Sequence, residues 1–168
     1  MSPKLSYDVV SLKDVPAEDV EVVWGEELPV VLVVDDERVI ADTLTIILSK
    51  SGFRAVAAYD GLEALELAAR VRPKLLISDV MMPGMTGIEL AIALTELHPE
   101  CKVLLFSGQA ATVDLLKTAR EIGHDFTTLT KPVHPSDMLR RVSECLTGGD
   151  GFSTGDTKSH VDSPYSYQ

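Results

Sequence analysis

The sequence predicts an α/β fold of five strand–helix repeats, a parallel sheet flanked by helices. Two observations carry that prediction. Residues 29–146 alternate short apolar runs with helical apolar patterns, and the runs are rich in β-branched and aliphatic residues, as strands buried on both faces should be. A third observation is where the runs stop: four of them end in polar groups, at Asp35-Asp36-Glu37, Asp79, Ser107 and Lys131.

The first strand is predicted over Val30–Val34, and the helix after it places Ile40, Leu44, Ile47 and Leu48 on one stripe before Gly52 stops it. The second strand, Arg54–Tyr59, leads to a helix with Leu62, Leu65, Ala68 and Ala69 as its apolar stripe. The third, Leu75–Ser78, precedes a helix over about Gly87–Leu97 that is apolar around a wide arc. Val103–Phe106 follows, with Leu115, Leu116, Ala119 and Ile122 on the next helix before Gly123. The last pair is Phe126–Thr130 and a helix using Met138, Leu139, Val142 and Leu146.

The 168 residues suffice for one core with extensions. Residues 1–28 hold two basic and seven acidic side chains and read as an acidic extension or linker. Within it Val20–Trp24 could pair as a short edge strand, and could join two copies in a homodimer. Residues 147–168 are rich in Gly, Ser, Thr and Asp and are expected to be a disordered tail. A net charge of −11 argues against a ligand held through a phosphate backbone, so no direct nucleic-acid contact is expected. No apolar run approaches the roughly 20 residues of a membrane span and no signal peptide opens the chain, so a cytoplasmic location is the default. Cys101 and Cys145 lack paired spacing, and His98, His124, His134 and His160 lack ligand spacing. Two reduced thiols and no histidine-bound metal are expected.

Strands of a parallel sheet all point one way, and ligands of open α/β sheets bind outside the carboxyl ends. Asp35, Asp36, Asp79, Ser107 and Lys131 therefore converge on one edge. Three carboxylates together repel unless a cation is supplied. Hard oxygen ligands without thiolate or imidazole suit Mg²⁺, while Lys131 and Ser107 offer an ammonium and a hydroxyl to an anion. The set describes an acidic pocket prepared for one phosphoryl group, with an aspartate as acceptor.

In these motifs, Val33-Val34-Asp35-Asp36-Glu37, Asp79-Val80-Met81-Met82-Pro83-Gly84-Met85-Thr86-Gly87, Ser107-Gly108 and Lys131-Pro132, the chain resembles the receiver domains of two-component response regulators over about residues 29–146. The resemblance implies a flavodoxin-like, doubly wound (βα)5 fold with strand order 2-1-3-4-5. It implies Asp79 as phosphoacceptor, with Ser107 and Lys131 binding the phosphoryl oxygens. Asp36 and Asp79 would ligate Mg²⁺ through their side chains, Met81 through its backbone carbonyl, and Asp35 largely through water. A sensor histidine kinase or a histidine phosphotransfer protein would supply the phosphoryl group. An unknown downstream protein would read the face formed by residues 110–146.

The chain departs from the family at Thr128, three residues before Lys131, where most receivers carry an aromatic residue. The segment from Ser107 to Lys131 is a little longer than usual, so Phe126 either substitutes through a bulge or begins the fifth strand and packs in the core. Met81 and Gln109 take the positions that influence water attack on the acyl phosphate, and an apolar Met81 implies a long-lived phosphoryl group. With no effector motif after Leu146, the expected function is a stand-alone receiver, not an enzyme beyond assisting its own phosphoryl transfer and hydrolysis. The alternatives are a small Mg²⁺-dependent phosphatase or hydrolase with Asp79 as nucleophile, and a phosphorylation-independent binding module.

Overall fold

The computed structural model describes residues 28–108 and 111–148. Ten elements alternate along them: β1 (Val30–Val34), α1 (Arg38–Lys50), β2 (Arg54–Ala58), α2 (Gly61–Val71), β3 (Leu75–Asp79), α3 (Gly87–Leu97), β4 (Lys102–Ser107), α4 (Ala111–Glu121), β5 (Thr127–Thr130) and α5 (Pro135–Leu146). The strands form one parallel sheet in the order β2-β1-β3-β4-β5. The expectations for Val20–Trp24 and the rest of residues 1–27, for Gln109 and His160, and for residues 149–168 lie outside the described residues.

Side chains alternate across each strand, and both faces are covered. Leu32, Val34, Leu76 and Leu105 join a core with Ala64, Leu67 and Ala68 of α2 and Ile88, Ala91 and Leu94 of α3. Val31, Val33, Leu75, Ile77, Leu104 and Phe106 face the opposite way, onto Leu48 of α1 and Met138 and Val142 of α5. The chain steps from β1 outward to β2 and returns past β1 to β3, so α1 and α5 share one face and the order reverses between β1 and β3. A crevice opens at such a reversal beyond the strand ends.

Local signals set the element ends. Asp60 caps α2 by accepting from the Glu63 amide at 2.8 Å. Thr86 and Glu89 form a reciprocal capping box at α3, each accepting a backbone N–H of the other. At α5 the His134 ring accepts from the Ser136 amide and Pro135 occupies the first turn, where its missing N–H has no helical partner to lose. Gly52 and Gly123 follow α1 and α4 at positive φ, as stop residues do.

Three sequence expectations are corrected. In α2 Leu62 is 67% exposed and Ala69 is also exposed, because apolar residues occur on two sides of this helix and Ala64, Leu67 and Ala68 face the sheet. Ile122 is exposed because α4 ends at Glu121. Phe126 does not begin the fifth strand, which starts at Thr127; it packs against the α2–α3 side of the core and stacks on His124 at 5.8 Å. Thr128 is exposed, so no aromatic side chain stands at that position. Both cysteines are free thiols, Cys101 buried, and burial pushes the Cys101 thiol up to about 11. No helix among the described residues is long and apolar enough to cross a membrane.

Candidate functional site

The three carboxylates of the acidic edge come from two strand ends, those of β1 and β3. Asp35 follows the last residue of β1, and its backbone N–H donates to the Ala58 carbonyl at the end of β2 at 3.3 Å, which carries the chain over the sheet edge. The side chain is buried, with 1% exposure. Its Oδ1 accepts the Glu37 N–H at 2.9 Å, while Oδ2 has no hydrogen-bond partner. Asp36, the next residue, is exposed. Asp79 closes β3 in register with Phe106 of β4. One carboxylate oxygen from each of Asp35, Asp36 and Asp79 lies within 4.8 Å of the others.

The loop after Asp79 is packed against the strand that carries it. Val80 N–H donates to the Phe106 carbonyl at 3.1 Å and Gly87 N–H to the Val80 carbonyl at 2.9 Å. Gly87 has no alternative, since a Cβ there would overlap the Asp79 carbonyl oxygen. Within this loop Met82 turns into the core, whereas the Met81 side chain is 45% exposed. Gly84 takes φ +78°, a conformation that costs glycine little.

Lys131 arrives from β5. Its N–H donates to the Ser107 carbonyl at 2.9 Å, and the Lys131–Pro132 peptide bond is cis. The ammonium lies 3.2 Å from Asp79 Oδ1 and 3.9 Å from Asp35 Oδ2. The aliphatic part of the same side chain runs beside Gly108, where a Cβ would sit 3.5 Å from it. One lysine thus faces two carboxylates, with Asp36 adding a third negative charge. The electrostatic consequence falls on Asp35: burial chiefly raises its pKa, and the Asp79 and Asp36 charges add to this against the Glu37 N–H and Lys131.

Ser107 ends β4 opposite Thr130 of β5. Its Oγ is hydrogen-bonded to Thr112 Oγ1 in the first turn of α4. The sequence reading missed Thr112, which is fully buried; a threonine five residues after Ser107 has no periodic signal to separate it from a helix-start residue. The five polar residues expected at one edge are therefore all at that edge. Asp35, Asp36 and Asp79 are clustered, Lys131 pairs with Asp35 and Asp79, and Ser107 is joined to Lys131 through its backbone and to α4 through its hydroxyl.

This donor set fits a hard divalent cation. A buried carboxylate oxygen without a hydrogen-bond partner, Asp35 Oδ2, sits among two further carboxylates, and one ammonium leaves the group with excess negative charge.

Residues 31–143 match the family described as response regulator receiver domain. The chain is 37% identical over 124 residues to the transcriptional regulatory protein CreB of Escherichia coli (strain K12), covering 74% of this chain and 53% of that protein. It is 32% identical over 120 residues to the DNA-binding response regulator MtrA of Mycobacterium tuberculosis (strain ATCC 25618 / H37Rv), covering 71% and 51%. The chain thus spans about half the length of these curated relatives. Among solved structures, chemotaxis protein CheY4 of Vibrio cholerae superposes with a TM-score of 0.63 at 28% identity, over 70% of this chain and 98% of that one. A CheY-like receiver domain protein from Methanospirillum hungatei JF-1 gives 0.65 at 29%, over 72% and 95%.

Proposed function

The chain belongs to the response regulator receiver family, and we propose that it accepts a phosphoryl group on the Asp79 carboxylate from a histidine kinase or a histidine phosphotransfer protein. The observation that carries this reading is the approach of Lys131 Nζ to Asp79 Oδ1 at 3.2 Å, beside two more carboxylates on the edge where the strand order reverses. An Asp79 oxygen attacks the phosphorus of a phosphohistidine, the P–O bond forms as the P–N bond breaks, and the imidazole leaves with a proton. Lys131 and the Ser107 hydroxyl receive charge that builds on the phosphoryl oxygens, and both are already held at the site by backbone pairing of β4 and β5. Hydrolysis of the acyl phosphate later restores the carboxylate. The chain assists these two steps on itself and turns over no other substrate.

Asp36 and Asp79 side chains and the Met81 carbonyl would hold Mg²⁺, with Asp35 acting largely through water. Bound there, the ion would neutralise the acidic cluster and the phosphoryl oxygens. Output proceeds by protein contact through the face formed by α4, β5 and α5, or by passing the phosphoryl group onward; both need only the described domain. The net charge of −11 supports protein partners over direct contact with nucleic acid.

Intact mass after incubation with acetyl phosphate tests the reading. Wild type should gain one phosphoryl group only with Mg²⁺, and Asp79→Asn none. No gain in wild type under any condition would leave a phosphorylation-independent binding module on this fold.

A further inference from the structure

We propose that Val20–Trp24 adds to the outer edge of β2 as a sixth, antiparallel strand, and that the acidic residues linking it to β1 meet cations at the amino end of the sheet.

β2 ends the strand order, and among the described residues β1 is its one strand neighbour. Backbone groups on the far side of such an edge are a template for another strand. Edges are commonly blunted by charge, proline or a bulge, yet after Arg54 this strand reads Ala55-Val56-Ala57-Ala58 and pairs residue for residue with β1. Val56 belongs to the α2–α3 side of the core and is only half-buried there.

The preceding chain enters at this edge. Arg54 Nη1 donates to the Leu28 carbonyl at 3.4 Å, which holds Leu28 at the foot of β2. Trp24 is four residues earlier, a reach of about 14 Å. That suffices to bring it to the outer side of β2, one strand spacing of about 5 Å away. In a parallel alignment Trp24 would stand at the carboxyl end of β2, and the link would have to return along the roughly 16 Å of the strand and then cross beneath it. The link therefore permits only the antiparallel direction.

The five residues of the segment match the five of β2. With Trp24 beside Arg54, Val22 falls beside Val56 and Val20 beside Ala58, and directly opposed residues share a face. These three would extend the α2 side of the sheet over Val56. A slip of one residue would put Glu21 on that face instead, so the apolar pattern sets the register.

Charge favours the same placement. Residues 48–56 and 68–74 end α1 and α2 and begin β2; they carry Lys50, Arg54, Arg70, Arg72 and Lys74 and no acid, in a chain of net charge −11. Lys74 is paired with Glu100. Helices of a strand–helix repeat return to the amino ends of the strands, so these cations share one end of the sheet. Glu26 and Glu27, in the link before Leu28, would arrive at that end.

Trp24 is the one tryptophan of the chain, so its emission reads the segment in the full protein. Acrylamide should quench wild type several-fold less steeply than the urea-unfolded chain, and sedimentation should give the mass of one copy. Val22→Pro removes a strand N–H outside the core and should bring Trp24 to the quenching seen in urea, with circular dichroism of the domain kept. The β2 amides that point away from β1 should then exchange about fivefold faster or more, the factor one net hydrogen bond is worth. Val22→Thr, which keeps the N–H and the β-branch, should retain the shielding. Glu26→Lys with Glu27→Lys should raise quenching at low salt, and no change would overturn the charge pairing. Trp24 quenched in wild type as in urea, or β2 protection unchanged in Val22→Pro, overturns the added strand. Shielding that falls on dilution together with a two-copy mass overturns it as well, and gives the edge to a second copy of the chain.

Discussion

Lys131 Nζ stands 3.2 Å from Asp79 Oδ1 and 3.9 Å from Asp35 Oδ2, so one ammonium divides its charge between an accessible carboxylate and a buried one. Under the proposed function the lysine would compete with a cation for the same charge and would also meet the phosphoryl oxygens. Removing it should separate the two roles. Lys131→Met is expected to bind Mg²⁺ several-fold more tightly in calorimetric titration, because a repelling positive charge has gone. Its phosphoryl gain from acetyl phosphate should slow by roughly 100-fold, the scale on which loss of one preorganised charge-stabilising donor is felt. Weaker Mg²⁺ binding would mean that the lysine orders the carboxylates instead of competing for them.

Asp35 carries the cost of this arrangement. Burial, aided by Asp79 and Asp36, raises its carboxyl pKa, so the fold prefers the neutral form. Stability from this group is fully present below the ordinary value of 3.8 and is lost as pH rises through the raised folded value. Asp35→Asn keeps the Oδ1 acceptor for the Glu37 N–H and removes the charge. Without Mg²⁺ at pH 7, chemical denaturation should show the variant more stable than wild type, since the charged form that burial disfavours is gone. The gap should close as pH falls below the titration. Added Mg²⁺ should stabilise wild type more than the variant; equal stabilisation would remove Asp35 from the metal site.

The sheet and the site edge were legible because two independent signals agreed. Apolar runs marked the strands to within about a residue at each end, and polar residues closed four of them, which a parallel sheet must bring to one side. Helix faces were less legible wherever apolar residues lay on two sides. In α2, Leu62 is the larger hydrophobe, yet Ala64 and Ala68 face the sheet, and composition cannot choose between the stripes. Thr112 was invisible for a different reason. Its partner Ser107 lies across a turn, and a pairing of single hydroxyls leaves no periodicity.

Gly87 opens α3 with its N–H on the Val80 carbonyl, and its Cα faces the carbonyl oxygen of Asp79. Adding a methyl there forces the β3–α3 loop away from the strand that presents Asp79. Gly87→Ala should therefore lose about 3 kcal/mol of stability by denaturant titration, at the upper end of overpacking costs. Phosphoryl gain should fall with it, because the displaced backbone is that of Asp79. Wild-type stability would show that the loop can yield at no cost.

Cys101 gives a stability marker remote from the acidic edge. Its thiol is pushed up to about 11 chiefly by burial, against an ordinary value of 9.0. Stability from the neutral thiol is complete below pH 9.0 and is lost as pH rises through about 11. The loss should approach about 3 kcal/mol by equilibrium denaturation, the equivalent of two pKa units. Cys101→Ala should be less stable at neutral pH but should lose this alkaline slope. An unchanged slope would assign it to other groups.

If Asp79 is phosphorylated as proposed, Met81 is placed to affect the lifetime of the acyl phosphate. It follows Asp79 by two residues, and its side chain stands out at 45% exposure while Met82 fills the core. A thioether can shield an acyl phosphate but cannot orient a water molecule, since sulfur is a weak acceptor and no donor. A carboxamide at the same place can do both. Met81→Asn is therefore expected to shorten the phosphoryl lifetime by roughly tenfold, less than the roughly 100-fold or more of a full general base because a carboxamide orients the water without taking its proton. Because the side chain is outside the core, the fold should be undisturbed and the phosphorylation rate with acetyl phosphate nearly unchanged. The decay of phosphorylated protein, followed by intact mass after removal of the donor, distinguishes the cases: identical decay in wild type and Met81→Asn would show that water reaches Asp79 by a path this side chain does not control.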